Sequence, residues 1–191
     1  MMSDDEFLSV MFSGDAGEIR RALSEREPNA VVEGQPILLW ATSAGTADAV
    51  QAVIEKGADP DAKSETGETA LLMAAYSGKL DVVRVLMHSG ANVNAADEDG
   101  QTALMAAAKS GSLDVVRELV AAGARLDQCD SHDRSVMHWV MAEGDHAEVV
   151  NYLLAQGAPK DGTSQDGASP YDYALSLGRS RSLALLVGQS D

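Results

Sequence analysis

Apolar side chains recur along this chain in short bursts separated by glycine, and the spacing within each burst is helical. Leu71, Leu72, Ala74 and Ala75 form one burst, and Leu80, Val83, Leu86 and Met87 a second. The second leaves Asp81, Arg84 and His88 on the opposite side, the pattern of a helix with one buried face. Thr69 precedes the first burst and can cap a helix by accepting a backbone N–H bond. Gly78 and Gly90 end the two segments, where a left-handed turn is cheap for glycine. The pattern predicts two short antiparallel helices. Ala91-Asn92-Val93-Asn94 and a polar turn, Asp97-Glu98-Asp99-Gly100, lead into the next pair.

The pair is a repeating unit. The strings Gly67-Glu68-Thr69-Ala70-Leu71-Leu72-Met73-Ala74-Ala75-Tyr76-Ser77-Gly78 and Gly100-Gln101-Thr102-Ala103-Leu104-Met105-Ala106-Ala107-Ala108-Lys109-Ser110-Gly111 nearly superimpose at an offset of 33, with Gly34 one step earlier. Gly57, Gly90, Gly123 and Gly157 form a second series with steps of 33, 33 and 34, the extra residue falling within Gly144-Asp145-His146-Ala147-Glu148. A single pair of short helices cannot hide its apolar face, so the units must stack, and the stack is the core. We divide the chain, as one domain over 1–191, into six units: 4–30, 31–63, 64–96, 97–129, 130–163 and 164–191. The first, with Phe7, Leu8, Met11, Ile19 and Leu23, lacks the turn glycine; the last ends in Ser182-Leu183-Ala184-Leu185-Leu186-Val187 with no Gly-Ala turn after it. Atypical end units are what capping requires, so the array is expected to be complete.

This grammar resembles the ankyrin repeat: Thr-Ala-Leu-x-x-Ala-Ala, x-x-Gly, Val-Val-x-x-Leu-x-x-x-Gly-Ala and a following Asn. The usual Thr-Pro-Leu-His opening is altered to Thr69-Ala70-Leu71-Leu72 and Thr102-Ala103-Leu104-Met105, whereas Ser135-Val136-Met137-His138 keeps the histidine and Ser169-Pro170-Tyr171 the proline. The match is closest in units three and four and covers almost the whole chain. The resemblance implies an all-α solenoid of stacked helix-turn-helix units with β-turn or hairpin-like connections. It also implies a protein-binding role, through an extended concave surface made of the turn tips and the exposed side of each first helix. His138 would serve as the family's capping histidine, bonding the neighbouring loop.

Charge sharpens the expected partner. There are 14 basic and 30 acidic residues, a net charge of −16. Such a field repels nucleic acid and anionic membranes and favours a partner with a basic face. The same charge also keeps an elongated protein soluble and monomeric without any partner. Cys129 is the only cysteine, so no internal disulfide forms and a reducing compartment is expected. The acidic start, Met1-Met2-Ser3-Asp4-Asp5-Glu6, is no secretory signal, and no apolar stretch approaches the roughly 20 residues of a membrane span. The expected location is the cytoplasm, with signal-independent export left open.

Specificity should lie in the residues that vary around the framework. At the tips these are Glu33 and Gln35; Glu65, Thr66 and Glu68; Glu98, Asp99 and Gln101; Ser131, His132 and Arg134; and Gln165 and Asp166. On the first helices they are Ser43, Tyr76, Lys109 and Glu143. The tips of units two to four are acidic, matching a Lys- or Arg-bearing partner, although solvated tips beside helix N-termini are often acidic anyway. Tyr76 is the best single hot spot, since aromatics dominate interface energetics. The sixth residue after the turn glycine is Trp40, Met73 and Ala106, then Trp139 counted from Asp133, and Tyr173. Recurring large groups there point to packing between units; Trp40 and Trp139 become aromatic anchors if partly exposed.

Catalytic chemistry finds little support. Cys129, His132 and His138, with Asp130 and Asp133, match no standard zinc spacing, and no phosphate-binding loop, Gly-x-Ser-x-Gly or His-Glu-x-x-His string occurs. No metal, cofactor or enzymatic activity is expected. The leading reading is an adaptor, scaffold or inhibitor; a sharper form is a dedicated, immunity-type antagonist of a basic toxin or enzyme. A structural or chaperone-like client holder is the alternative. Alanine at Tyr76 or Lys109 separates them, with losses of about 1–2 kcal/mol expected only for a defined interface.

Overall fold

Helices run along the chain in antiparallel pairs, each pair laid beside the last. The computed structural model describes residues 2–188. The first helices of the pairs are α1 (Asp4–Ser13), α3 (Ile37–Ala44), α5 (Ala70–Tyr76), α7 (Ala103–Lys109), α9 (Val136–Ala142) and α11 (Pro170–Ser176). The second helices are α2 (Ala16–Ala22), α4 (Ala47–Glu55), α6 (Leu80–His88), α8 (Leu113–Ala121), α10 (Ala147–Ala155) and α12 (Ser180–Gly188). First helices pack on first helices and second on second, so two rows run the length of the stack. Each unit touches its neighbours, the quasi-one-dimensional arrangement of a solenoid. None of these helices is long and apolar enough to cross a membrane.

The seam between the rows is the core. Leu38, Leu71, Leu86, Leu104, Leu119 and Met137 are buried there, with Phe7, Met11 and Ile19 at the N-terminal end. Ala74, Ala75, Ala106, Ala107 and Ala108 are also buried, and their small side chains let adjacent helices approach closely. In α6 the buried stripe differs slightly from the expected one. Val82, Val83 and Leu86 are buried, while Leu80 and Met87 are only half-buried at its margins. The stripe is wide because α6 packs against α5 and against both α4 and α8.

Short polar side chains start the helices as the spacing predicts. Thr69 accepts from Leu72 N and Thr102 from Met105 N, at 3.2 and 3.3 Å. In unit five, Ser135 N donates to His138 Nδ1 at 3.1 Å, and His138 Nε2 bonds the Ala168 carbonyl of the next unit at 3.1 Å. The altered opening therefore keeps its histidine where both ring nitrogens have work. Burial, first of all, pushes the His138 pKa down from its ordinary value.

Between units the chain forms small hairpins. β1 (Val31–Val32) pairs with β2 (Gln35–Pro36), and single bridges join Lys63 to Thr69, Ala96 to Thr102 and Cys129 to Ser135. Asp133 stands where the other hairpins have glycine and keeps the left-handed conformation, φ 59°, which aspartate tolerates better than most residues. The extra residue of unit five lies between α9 and α10. There Asp145 accepts from Arg181 N, Ser182 N and Ser182 Oγ at 2.9, 2.9 and 2.6 Å, capping α12 of the next unit. Cations make comparable stitches elsewhere. Lys79 Nζ bonds the Thr42 and Ser43 carbonyls at the end of α3, and Arg179 bonds those of Met141 and Ala142 at the end of α9. In each case positive charge meets the negative end of a helix.

Candidate functional site

Hairpin tips and the ends of the first helices share one long flank. Adjacent tips are joined by backbone bonds: Glu98 N to Thr66 O at 3.2 Å, Ser131 N to Asp99 O at 2.8 Å, and Gln165 N to His132 O at 2.9 Å. These fix the spacing of neighbouring tips. The two neighbours of each turn glycine differ in exposure. The preceding residue is exposed every time (Glu33, Thr66, Asp99, His132, Asp166), but the following one is half-buried: Gln35, Glu68, Gln101, Arg134. The cause is local, because the following residue closes the turn. Glu68 N donates to Ser64 Oγ, Gln101 N to Asp97 Oδ1 and Arg134 N to Asp130 Oδ1, as Asx and Ser turns do. Gln35, in turn, is in strand β2.

Acid accumulates on the exposed side. Glu33, Glu65, Glu98 and Asp99 are exposed, and none of their carboxylates joins an ion pair among the described residues. Glu68 behaves differently: desolvation, then the nearby Asp97 charge, push its carboxyl above its usual value. Basic groups on this flank are already engaged. Lys63 Nζ bonds the Ala96 carbonyl at 2.8 Å, Lys109 pairs with Glu143 at 3.0 Å and Arg134 with Asp130 at 2.7 Å. On the second-helix row the charges match across units instead, Arg20 with Glu55 and Arg84 with Glu118. Ser131 Oγ bonds His132 Nδ1 at 3.2 Å. Asp166 is spent inside its own hairpin, on Ser164 Oγ and Ala168 N. His132, Arg134, Gln165 and Asp166 line an open groove with Ser164 and Tyr173.

The first-helix residues meet in one cluster. Tyr76 is 45% exposed, and its hydroxyl donates to Glu143 Oε1 at 3.1 Å. Lys109 Nζ lies 5.3 Å from the Tyr76 ring centroid and 5.4 Å from that of Trp139. The hydrogen bond from Lys109, aided by that from Tyr76, holds the Glu143 carboxyl below the usual range. Ser43 lies apart, donating to Met73 Sδ at 3.3 Å. Trp40 and Trp139 are both half-buried and both have their indole N–H engaged. Trp40 Nε1 donates to the Val32 carbonyl at 2.9 Å, and its ring meets Phe12 edge-on at 5.7 Å. Trp139 Nε1 donates to Asp130 Oδ2 at 3.0 Å, with the Arg134 guanidinium 4.5 Å from its ring centroid.

Asp130 is the residue that sequence reasoning undervalued. Its carboxylate, with no side-chain exposure, accepts from His132 N, Arg134 N, Arg134 Nε and Trp139 Nε1. Burial would raise this carboxyl, but the backbone donors of Arg134 and His132 and the Arg134 side chain outweigh it and hold the pKa low. The available signal was register: Asp130 stands one unit after Asp97, which also closes its turn. Among the described residues no three His, Cys, Asp or Glu side chains are placed to hold a metal ion. Desolvation and the charges of Asp133, Asp130 and Asp127 push the Cys129 thiol up, away from the reactive thiolate.

Comparison with known proteins agrees with this geometry. The family description "ankyrin repeats" matches in three overlapping copies, over residues 8–97, 38–130 and 89–166. A search of curated proteins found no match. Proteins built from these repeats are in general protein-interaction modules and not catalysts. The paired helices, the hairpin tips stitched at a fixed spacing and the histidine bonded to the next loop all follow from one repeated unit, and the chain belongs to the ankyrin-repeat family.

Proposed function

We propose that this chain is an adaptor, scaffold or inhibitor whose hairpin tips and first-helix face grip a protein with a basic patch. One observation carries the reading. The tip carboxylates of Glu33, Glu65, Glu98 and Asp99 are exposed without ion-pair partners among the described residues, while the cations Lys63, Lys109 and Arg134 are engaged within the chain. Unmatched charge of one sign on a rigid flank steers a partner of the opposite sign and fixes its register. A dedicated antagonist of a basic toxin or enzyme is the sharper form, because acidic surfaces speed such encounters. A client holder without a defined hot spot is disfavoured by the Tyr76 cluster, an exposed aromatic held in one orientation, as interface anchors are.

The test is capture of partners on the immobilised chain, followed by a salt titration of each complex. Expected are basic partners whose affinity falls steeply between about 0.05 and 0.5 M salt, and falls again in the E65Q/E98Q/D99N variant. Acidic or neutral partners in salt-insensitive complexes overturn the reading.

A further inference from the structure

Three groups, one from the third unit and two from the fifth, surround one ammonium of the fourth. Lys109 Nζ stands 5.3 Å from the Tyr76 ring centroid, 5.4 Å from the Trp139 centroid and 3.0 Å from Glu143 Oε1. The Tyr76 hydroxyl donates to that same oxygen, tying one ring to the carboxylate. The Trp139 ring is fixed from behind by the bond from its indole to buried Asp130. The helix that carries Lys109 is small-sided beside the cluster. Where other units carry Trp40, Met73, Trp139 or Tyr173, unit four has Ala106. Two ring faces and a carboxylate around one position make a receptor for a cation. The ion pair that now occupies it is partly open to water: the Lys109 and Glu143 side chains keep 26% and 43% exposure. Water screens the open side of the pair, and a lysine stem gives up rotamer freedom to stay.

We propose that Tyr76, Trp139 and Glu143 form a receptor for one basic side chain of a protein partner, and that Lys109 fills it in the free chain as a displaceable placeholder. This deepens, and rests on, the reading of a basic partner. An arginine suits the receptor better than a lysine, since a planar guanidinium stacks on rings and forks onto a carboxylate. On binding, Lys109 swings into solvent. Removing it both empties the receptor and deletes a like charge, so the sign expected from sequence reverses: truncating Lys109 strengthens binding.

The probe is N-acetyl-arginine methylamide, titrated into the whole chain with the Trp139 indole N–H followed by NMR; the neutral N-acetyl-norleucine methylamide is the control. K109M and K109Q are each expected to bind the arginine probe about tenfold more tightly than the parent chain. Adding E143Q or Y76A to K109M is expected to abolish the gain, with the norleucine probe silent throughout. No gain in either Lys109 variant, or equal binding of norleucine, overturns the receptor. A hexa-arginine peptide separates the two levels. If it binds the parent chain in a salt-dependent way while the Lys109 variants show no gain, the receptor falls and the basic-partner reading stands. If it does not bind at all, that reading falls too.

Discussion

The Tyr76 hydroxyl donates to Glu143 Oε1 at 3.1 Å, joining the third unit to the fifth over the fourth. The contact is exposed, so it orients more than it stabilises. Y76F is expected to change unfolding free energy by less than about 1 kcal/mol in urea denaturation. Y76A, which also removes the ring, is expected to weaken partner binding by about 1–2 kcal/mol in calorimetry. A stability loss that accounts for the whole binding loss would assign Tyr76 to the fold.

Asp130 is a structural hub of the same face. Alanine there leaves the Trp139 indole, the Arg134 guanidinium and two backbone N–H groups without their acceptor. Arg134 can turn to water, but the two backbone N–H groups and the half-buried indole lose a buried acceptor, and D130A is expected to cost about 2–3 kcal/mol. Urea denaturation checks the size. Near-ultraviolet circular dichroism checks whether the Trp139 environment loosens.

Two left-handed glycines separate backbone strain from crowding. Gly67 and Gly90 have φ of 77° and 91°. A Cβ on Gly67 would stand 2.9 Å from the Glu98 backbone nitrogen, whereas one on Gly90 meets nothing within 4 Å. G90A is expected to lose about 1–2 kcal/mol from its conformation alone, and G67A more, because the stitched hairpin beside it must move. Equal losses in thermal unfolding would show that the tips are not rigidly joined.

His138 makes stability depend on mildly acidic pH. Burial disfavours its charged form, so the folded pKa lies below the ordinary value of 6.5. The unfolded chain therefore binds more protons in the window beneath 6.5, and stability falls as pH drops through it and levels below the folded pKa. Denaturation at neutral pH and at pH about 5.5 is expected to show this drop in the parent chain. In H138Q the drop should shrink, even though that variant is less stable at both values.

The inserted Asp145 holds the last helix. D145A removes the acceptor for Arg181 N and Ser182 N and is expected to cost about 0.5–2 kcal/mol, the usual range for a lost cap. Because most of the packing is between adjacent units, hydrogen exchange is expected to rise in α12 and to change little in α5 to α8.

Much of this protein was legible in its residues. The step of 33, the threonine caps and the paired glycines determined the helix pairs, their order and the stacked core, since each is a local rule repeated along the chain. Even the insertion near Gly144 showed as a broken step. The flank was less legible. That Gln35, Glu68, Gln101 and Arg134 turn inward follows from bonds closing each hairpin. That Asp130 works as a buried hub, and that Tyr76, Lys109, Trp139 and Glu143 converge, depends on how far apart the units lie once packed. Tyr76 and Glu143 are 67 residues apart in the chain, and periodicity assigns each to a unit without stating the distance between units. Helical pairing is decided over a few residues and can be read in line. Contacts across units arise when the stack sets its spacing, and they exist in three dimensions alone.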